Sequence, residues 1–190
     1  KYKDLDRDGK LSVLGDGKEG SGDVKYLGDK NPRYNFGMNL SAAYKGFDFS
    51  AFIQGVGRRT MFLEGEASKP MAEAWFQSAA YWYGKTWTAE RTDAQYPAIT
   101  STSKRGYNYY YSTNTKHNVG YARLKNLQLG YTIPSSVTAK IGLQKLRVYF
   151  SGEDLFEIHN TPGGWDPEED GQITSYPFAR NYSFGVNVVF

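Results

Sequence analysis

Residues 182–190 read Tyr182-Ser183-Phe184-Gly185-Val186-Asn187-Val188-Val189-Phe190, and this order decides the fold. Tyr182, Phe184, Val186, Val188 and Phe190 hold alternate positions, with Ser183, Gly185, Asn187 and Val189 between them. Successive side chains of a strand point to opposite faces, so the segment is a β-strand with one apolar face and one small or polar face. Aromatic side chains sit at both ends of the apolar face, as they do where a strand crosses a bilayer between its two interfaces.

The alternation recurs upstream. Phe36, Met38, Leu40, Ala42 and Tyr44 interleave with Asn35, Gly37, Asn39, Ser41 and Ala43; Lys45-Gly46 then supplies a tight turn. Phe47, Phe49, Ala51, Ile53 and Gly55 follow on one face, with Asp48, Ser50, Phe52 and Gln54 on the other, so a hairpin is expected with Phe52 as its one misfit. From about Gly120 to Thr132, Leu127, Leu129 and Tyr131 oppose Asn126, Gln128 and Gly130. In the first half of this strand Leu124 lies on the polar side and Arg123 and Lys125 on the apolar side, which predicts a bulge or emergence above a membrane. Leu146, Val148 and Phe150 alternating with Arg147, Tyr149, Ser151 and Glu153 make the fifth strand. The connections are unequal: a two-residue turn at 45–46 and about a dozen residues after Thr132, against long segments at 1–33, 58–119 and 155–181. Short and long connections alternate as periplasmic turns and extracellular loops do in an outer-membrane barrel.

Composition agrees: 16 Tyr, 11 Phe and 21 Gly without any Cys is what closely spaced strands, tight turns and aromatic girdles require. The net charge of +3 is small and its cations are interspersed with acids, so nucleic acid is not expected as a partner. The chain opens on Lys1-Tyr2-Lys3-Asp4 without the pattern of a signal peptide. It also lacks any apolar run long enough for a membrane-spanning helix, so any crossing must be made by a closed barrel. A secreted carbohydrate-binding sandwich with one wet face would show the same alternation, but a 62-residue connection is too long for a compact one.

Several blocks, in order, resemble the late barrel of the SusC/RagA family of TonB-dependent transporters. They are Asn31-Pro32-Arg33-Tyr34-Asn35-Phe36-Gly37-Met38, Tyr44-Lys45-Gly46-Phe47-Asp48-Phe49, Trp87-Thr88-Ala89-Glu90-Arg91-Thr92-Asp93, Tyr121-Ala122-Arg123-Leu124-Lys125-Asn126-Leu127-Gln128-Leu129-Gly130-Tyr131, Leu146-Arg147-Val148-Tyr149-Phe150-Ser151-Gly152-Glu153-Asp154-Leu155-Phe156 and Tyr176-Pro177-Phe178-Ala179-Arg180-Asn181. The resemblance implies an all-β, transmembrane antiparallel β-barrel of about 22 strands, to which this chain supplies about the last five. It divides the chain into an extracellular loop at 1–33, a hairpin at 34–57, a long extracellular loop at 58–119, and three strands at 120–190 with one periplasmic connection and one extracellular loop. Five strands cannot close, so the chain is expected to be part of a longer polypeptide that brings a plug and a TonB-contacting segment. The implied function is outer-membrane import of oligosaccharides or peptides with a SusD-like surface lipoprotein as lid. A passive porin or adhesin barrel is the other membrane alternative.

No catalytic constellation stands out, since His117 and His159 lie in separate loops and no serine has a nucleophile motif around it. The acids Asp166, Glu168, Glu169 and Asp170 read as a wet loop or a partner contact. Aromatics crowd the longest loop, and Trp75, Trp82, Trp87, Tyr109 and Tyr110 are the candidates for contact with cargo or partner, as Tyr and Trp anchor many interfaces. Under the resemblance Phe190 is the terminal aromatic read by the barrel-assembly machinery. Finally, Asp4-Leu5-Asp6-Arg7-Asp8-Gly9-Lys10 places acids at alternate positions before a glycine, the first half of an EF-hand-type loop. Asp4, Asp6 and Asp8 would give side-chain oxygens to calcium and Lys10 its carbonyl. Gly15 stands where the closing Glu belongs, so Asp16 or a group elsewhere must complete the shell.

Overall fold

The computed structural model describes residues 2–13, 21–63, 80–100, 110–169 and 178–190, with 70, 78 and 108 besides. Its strands are β1 (Asn35–Tyr44), β2 (Phe47–Phe62), β3 (Lys116–Thr132), β4 (Lys145–His159) and β5 (Asn181–Val189). They lie in one sheet in the order β1-β2-β3-β4-β5, an up-and-down meander whose neighbours follow the sequence. The chain divides into two units, one of residues 1–29 and 62–116, the other of 30–61 and 117–190, which holds nearly all of the sheet.

Register explains why the alternation reads so clearly. Phe36 pairs with Gly55, Met38 with Ile53, Leu40 with Ala51 and Tyr44 with Phe47, so the two apolar sets of the first hairpin share one face. Leu129 pairs with Phe150 and Tyr131 with Val148; Val148 in turn pairs with Val186 and Phe150 with Phe184. The opposite face collects Asn39, Ser41, Ser50 and Asp48, and then Gln128, Ser151, Ser183 and Asn187. Phe36, Met38, Leu40, Leu129, Val148, Val186 and Phe184 are all exposed, the last at 84%. An apolar face laid open on β1, β4 and β5 and at Phe47 of β2 and Leu129 of β3 is the reverse of a sandwich core and fits a sheet whose outer side is covered by hydrocarbon.

The misfit Phe52 has a local explanation. Its ring lies 3.3 Å from where a Cβ on Gly37 would sit, so it packs flat over the missing side chain of the neighbouring strand. Tyr149 does the same over its register partner Gly185, where a Cβ would come within 2.3 Å of the ring. Large residues on the polar face are thus seated on glycines.

β2 runs past the expected hairpin boundary at residue 57. Gly57 N–H donates to Tyr34 O at 2.7 Å and Arg33 N–H to Arg58 O at 3.0 Å, so pairing continues beyond β1, while Thr60, Met61 and Phe62 are buried. The consecutive Arg58-Arg59 breaks the alternation and hides this extension in the sequence. The irregularity in β3 is also resolved: Asn126 pairs with Glu153 but Leu124 with Phe156, a bulge of one extra residue in β4, where Asp154 takes a φ of 51°.

Candidate functional site

Three features of the sheet unit concern the polar face and the end of the sheet with the long connections. On the polar face, Arg147 of β4 reaches across β3 to Asp48 of β2, with Nε to Oδ1 at 2.9 Å and Nη2 to Oδ2 at 2.5 Å, and also donates to Gln128 Oε1 at 3.3 Å. Gly130 lies beneath this bidentate pair, and a Cβ there would sit 2.4 Å from Arg147 Nη2 and 2.5 Å from the Asp48 carboxylate. Glycine at 130 is therefore what lets the two charges meet over the middle strand.

At the other end, Arg123 of β3 is 0% exposed. Its guanidinium lies 2.5 Å from Asp166, 3.0 Å from Glu168 and 3.1 Å from Glu157. Lys125 pairs with Asp154 at 2.9 Å and with Glu168 at 3.0 Å, and both cations lie over the Phe178 ring. Arg59 of β2 donates to the carbonyls of Pro167 at 2.6 Å and Glu169 at 3.0 Å. Of the acids that read as a wet loop or a partner contact, Asp166 and Glu168 fasten residues 161–169 onto β3 as a strap, and Asp170 lies outside the described residues. The two cations displaced onto the apolar parity of that strand find their counter-charges there, which is how a buried arginine is sustained. A cavity of about 220 Å³ under this strap is lined by Pro32, Val56, Arg59, Tyr121, Pro167 and Glu168. His117 and His159 stand at the start of β3 and the end of β4, and His159 Nδ1 accepts from Thr161 N–H at 3.2 Å.

The other unit holds the acidic turn and the loop aromatics. The structure brings Asp4, Asp6 and Asp8 together, with one carboxylate oxygen of each within 4.8 Å of the others. Arg7 and Gly9, at φ 64° and 82°, curl the backbone around them. Asp4 accepts from Gly9 N–H at 2.9 Å, Asp8 from Lys10 N–H at 2.7 Å and Asp6 from Gly22 N–H at 2.6 Å. Asp23, which the sequence reading missed, accepts from Leu5 N–H at 2.5 Å and Ser12 N–H at 2.8 Å, while its own N–H donates to Ser12 O at 2.8 Å. Those backbone donors, Ser12 first and then Leu5, hold its carboxyl below the usual aspartate range. Asp23 thus closes the turn from the far side. Asp16 lies outside the described residues, as do Trp75 and Tyr109.

Trp82 is a correction. As a candidate for contact with cargo or partner it should be accessible, yet it is 3% exposed. Its ring meets Tyr96 edge-on at 4.7 Å and Tyr81 at 5.3 Å, while the Tyr81 and Tyr96 hydroxyls bond at 2.8 Å. Burial, and then the Tyr81 hydroxyl, push the Tyr96 phenol far above its ordinary value. Thr86 bridges to Tyr96, and Trp87 N–H donates to Tyr96 O at 2.9 Å, so this cluster is the core of its own loop. Trp87 and Tyr110 do present exposed rings, beside Tyr83 and Tyr111. Tyr2 hydroxyl donates to Tyr110 O at 3.0 Å and fixes the backbone there. Phe190 follows β5 and is exposed on the parity of Val186 and Val188.

No family model matches the chain. Among curated proteins, TonB-dependent receptor P3 of Formosa agariphila is 31% identical over the whole chain, which covers 19% of that protein. TonB-dependent receptor P26 of the same organism is 28% identical over 93% of the chain, again 19% of its own length. Among solved structures, the RagAB peptide importer in its open-open state superposes with a TM-score of 0.65 at 20% identity, over 94% of this chain and 20% of that one. The chain therefore spans about a fifth of the length of the relatives it matches. With sheet topology, exposed apolar face and full-length similarity in agreement, the chain belongs to the TonB-dependent receptor family, and its five adjacent antiparallel strands have the fold of part of the barrel in the RagAB structures.

Proposed function

We propose that the chain is part of the barrel wall of an outer-membrane importer that takes up oligosaccharides or peptides, works with a SusD-like surface lipoprotein and draws its energy from TonB. One observation carries this reading: a meander whose apolar face is exposed at Phe36, Met38, Leu40, Leu129, Val148, Phe184, Val186 and Val188 and whose opposite face is polar, in a chain similar along its whole length to a TonB-dependent receptor. One face meets lipid and the other a wet lumen. Under this reading the strap 161–169 and the rings of Trp87 and Tyr110 belong to the extracellular mouth, where cargo and lipoprotein arrive. The relative in the RagAB structure is described as a peptide importer, which favours peptides as the first cargo to assay.

The test uses the full-length protein in its own outer membrane. Uptake of labelled peptides and oligosaccharides should cease when TonB is depleted, and a surface lipoprotein should co-purify with the barrel. Uptake that continues undiminished without TonB would mean a passive pore and would overturn the reading.

The acidic turn is proposed to hold calcium, supported by the convergence of Asp4, Asp6 and Asp8 within 4.8 Å and by the hard-oxygen chemistry of carboxylates. The Lys10 carbonyl is a further donor, and Asp16 or a group elsewhere would complete the shell. Bound there, a divalent cation would offset three crowded negative charges and stiffen the turn. In the full-length transporter an Asp6→Ala, Asp8→Ala double variant should lose calcium content and its chelator-sensitive melting; retention of both would remove the site from these residues.

A further inference from the structure

The connection between β3 and β4 leaves an apolar surface that the sheet does not use. Pro134 precedes a short helix α1 (Ser135–Thr138), which continues as a 3₁₀ turn over Ala139–Ile141 and stops at Gly142, at φ 74°. Thr138 is buried, whereas Val137 and Ile141, one helical turn apart, are 52% and 65% exposed. The segment satisfies much of its own backbone, with Val137 N–H and Thr138 N–H donating to Pro134 O, Gly142 N–H to Ala139 O and Leu143 N–H to Thr138 O. Such internal pairing is what lets backbone lie in a poorly hydrated boundary layer.

Its surroundings give this surface an occupant. Thr132 N–H donates to Gly46 O at 2.8 Å and Ile133 N–H to Leu146 O at 2.8 Å, so the connection starts beside the Lys45-Gly46 turn. At that level the outward face carries Tyr44, Phe47 and Tyr131, with the Phe47 and Tyr131 rings 4.4 Å apart. Lys45 Nζ lies 5.1 Å from the Tyr44 ring centre. From Ile133 to Phe150 the chain holds Lys140, Lys145 and Arg147 and no acid, and Asp48, across the sheet, is held by Arg147 and lies within Coulombic reach of Lys145. An aromatic girdle, two exposed aliphatic side chains and the lysines Lys45 and Lys140 match the boundary between acyl chains and anionic headgroups.

We infer that residues 133–144 form an interfacial anchor, in which Val137 and Ile141 dip into the acyl boundary and Lys45 and Lys140 hold the headgroups of anionic phospholipids on the side of the short turns. The inference rests on the barrel reading. It extends the lipid-covered surface from the strands onto a connection that period-two patterning leaves out. The interfacial segment would fix the depth at which this side of the barrel sits.

The test places single cysteines at Val137, Ile141 and Val186 of the full-length transporter, labels each with an environment-sensitive fluorophore, and reconstitutes it into vesicles of phosphatidylethanolamine and phosphatidylglycerol. All three labels should lose emission when lipids brominated in the upper acyl chain replace the plain ones. A Lys45→Glu, Lys140→Glu variant, or phosphatidylcholine in place of phosphatidylglycerol, should weaken that loss at 137 and 141 and leave 186 unchanged. Quenching at 186 without quenching at 137 and 141 would overturn the anchor while the barrel stands, and no quenching at 186 would overturn the barrel reading itself. Quenching at 137 that ignores both charge changes would remove the headgroup contact from Lys45 and Lys140.

Discussion

Replacing Arg123 by Met should release the strap 161–169 from the sheet while leaving the strands paired. The magnitude follows from what the arginine touches. It is fully buried and faces Glu157, Asp166 and Glu168 at 3.1, 2.5 and 3.0 Å, so its removal leaves three carboxylates with Lys125, on Glu168, and the exposed Arg180, on Glu157, as their remaining close cations. Breaking one side of a buried ion cluster costs about 3–5 kcal/mol, and because the three acids stay partly exposed the low end, about 3 kcal/mol, applies. Met fills much of the hydrocarbon volume, so the loss is chiefly electrostatic. At about 1.4 kcal/mol per decade, local opening of the strap should rise by about two orders of magnitude. Amide exchange over residues 161–169 of the full-length protein in bilayers reads that opening directly. Arg180→Ala is the internal control: that side chain is 52% exposed and makes a single 3.2 Å contact with Glu157, so its loss should cost about 0–1 kcal/mol. If Arg123→Met speeds exchange in the strap no more than Arg180→Ala does, the cluster is not what holds the loop and the argument fails.

Val186→Arg on the outward face of β5 should destabilise the barrel by about 2–4 kcal/mol if the position lies near the bilayer midplane, measured by urea unfolding in lipid vesicles. A shift indistinguishable from that of Asn187→Arg would deny the two faces their difference. Gly130→Val should cost about 1–3 kcal/mol and separate Arg147 from Asp48, since its side chain would enter the space both occupy; unchanged urea unfolding would show that the glycine is not required. Asp23 has a carboxyl held below its ordinary value, so its contribution to the order of the acidic turn is complete above about pH 4 and is lost as pH falls through the lower native value. Exchange protection at the Leu5 and Ser12 amides should follow that course, and a loss beginning near neutrality would point to another group.

The sheet was legible in the sequence because each strand has one face of each kind, and a one-residue slip would move every apolar side chain to the wrong side. Thus Val186 and Asn187, or Met38 and Asn39, declare their faces without reference to any neighbour. What the alternation could not give was contact across sequence distance. Phe52 reads as an error until Gly37 is set diagonally across from it on the adjacent strand. Arg123 and Lys125 read as misplaced cations, and only the fold brings Asp166 and Glu168 to them from more than forty residues away. A hint was present, since two cations two residues apart on an apolar parity need acids, and Asp166 and Glu168 have the same spacing. In the acidic turn, Asp4, Asp6 and Asp8 followed from spacing, whereas Asp23 did not, because the intervening chain has no period that would return an acid to the turn. Trp82 and Trp87 look alike in sequence, and it is the Tyr81 and Tyr96 rings that bury one and leave the other exposed.

The central claim is that one face of these strands meets lipid and the other a water-filled lumen, and it is tested most directly by single cysteines along β1 and β5 of the full-length protein in intact outer membranes. Treated with a small membrane-impermeant thiol reagent, cysteines at Asn35, Asn39, Ser41, Ser183 and Asn187 should react, and those at Phe36, Met38, Leu40, Phe184, Val186 and Val188 should not. Reaction that fails to alternate, with the Phe184 set modified as readily as the Ser183 set, would contradict a membrane-spanning wall.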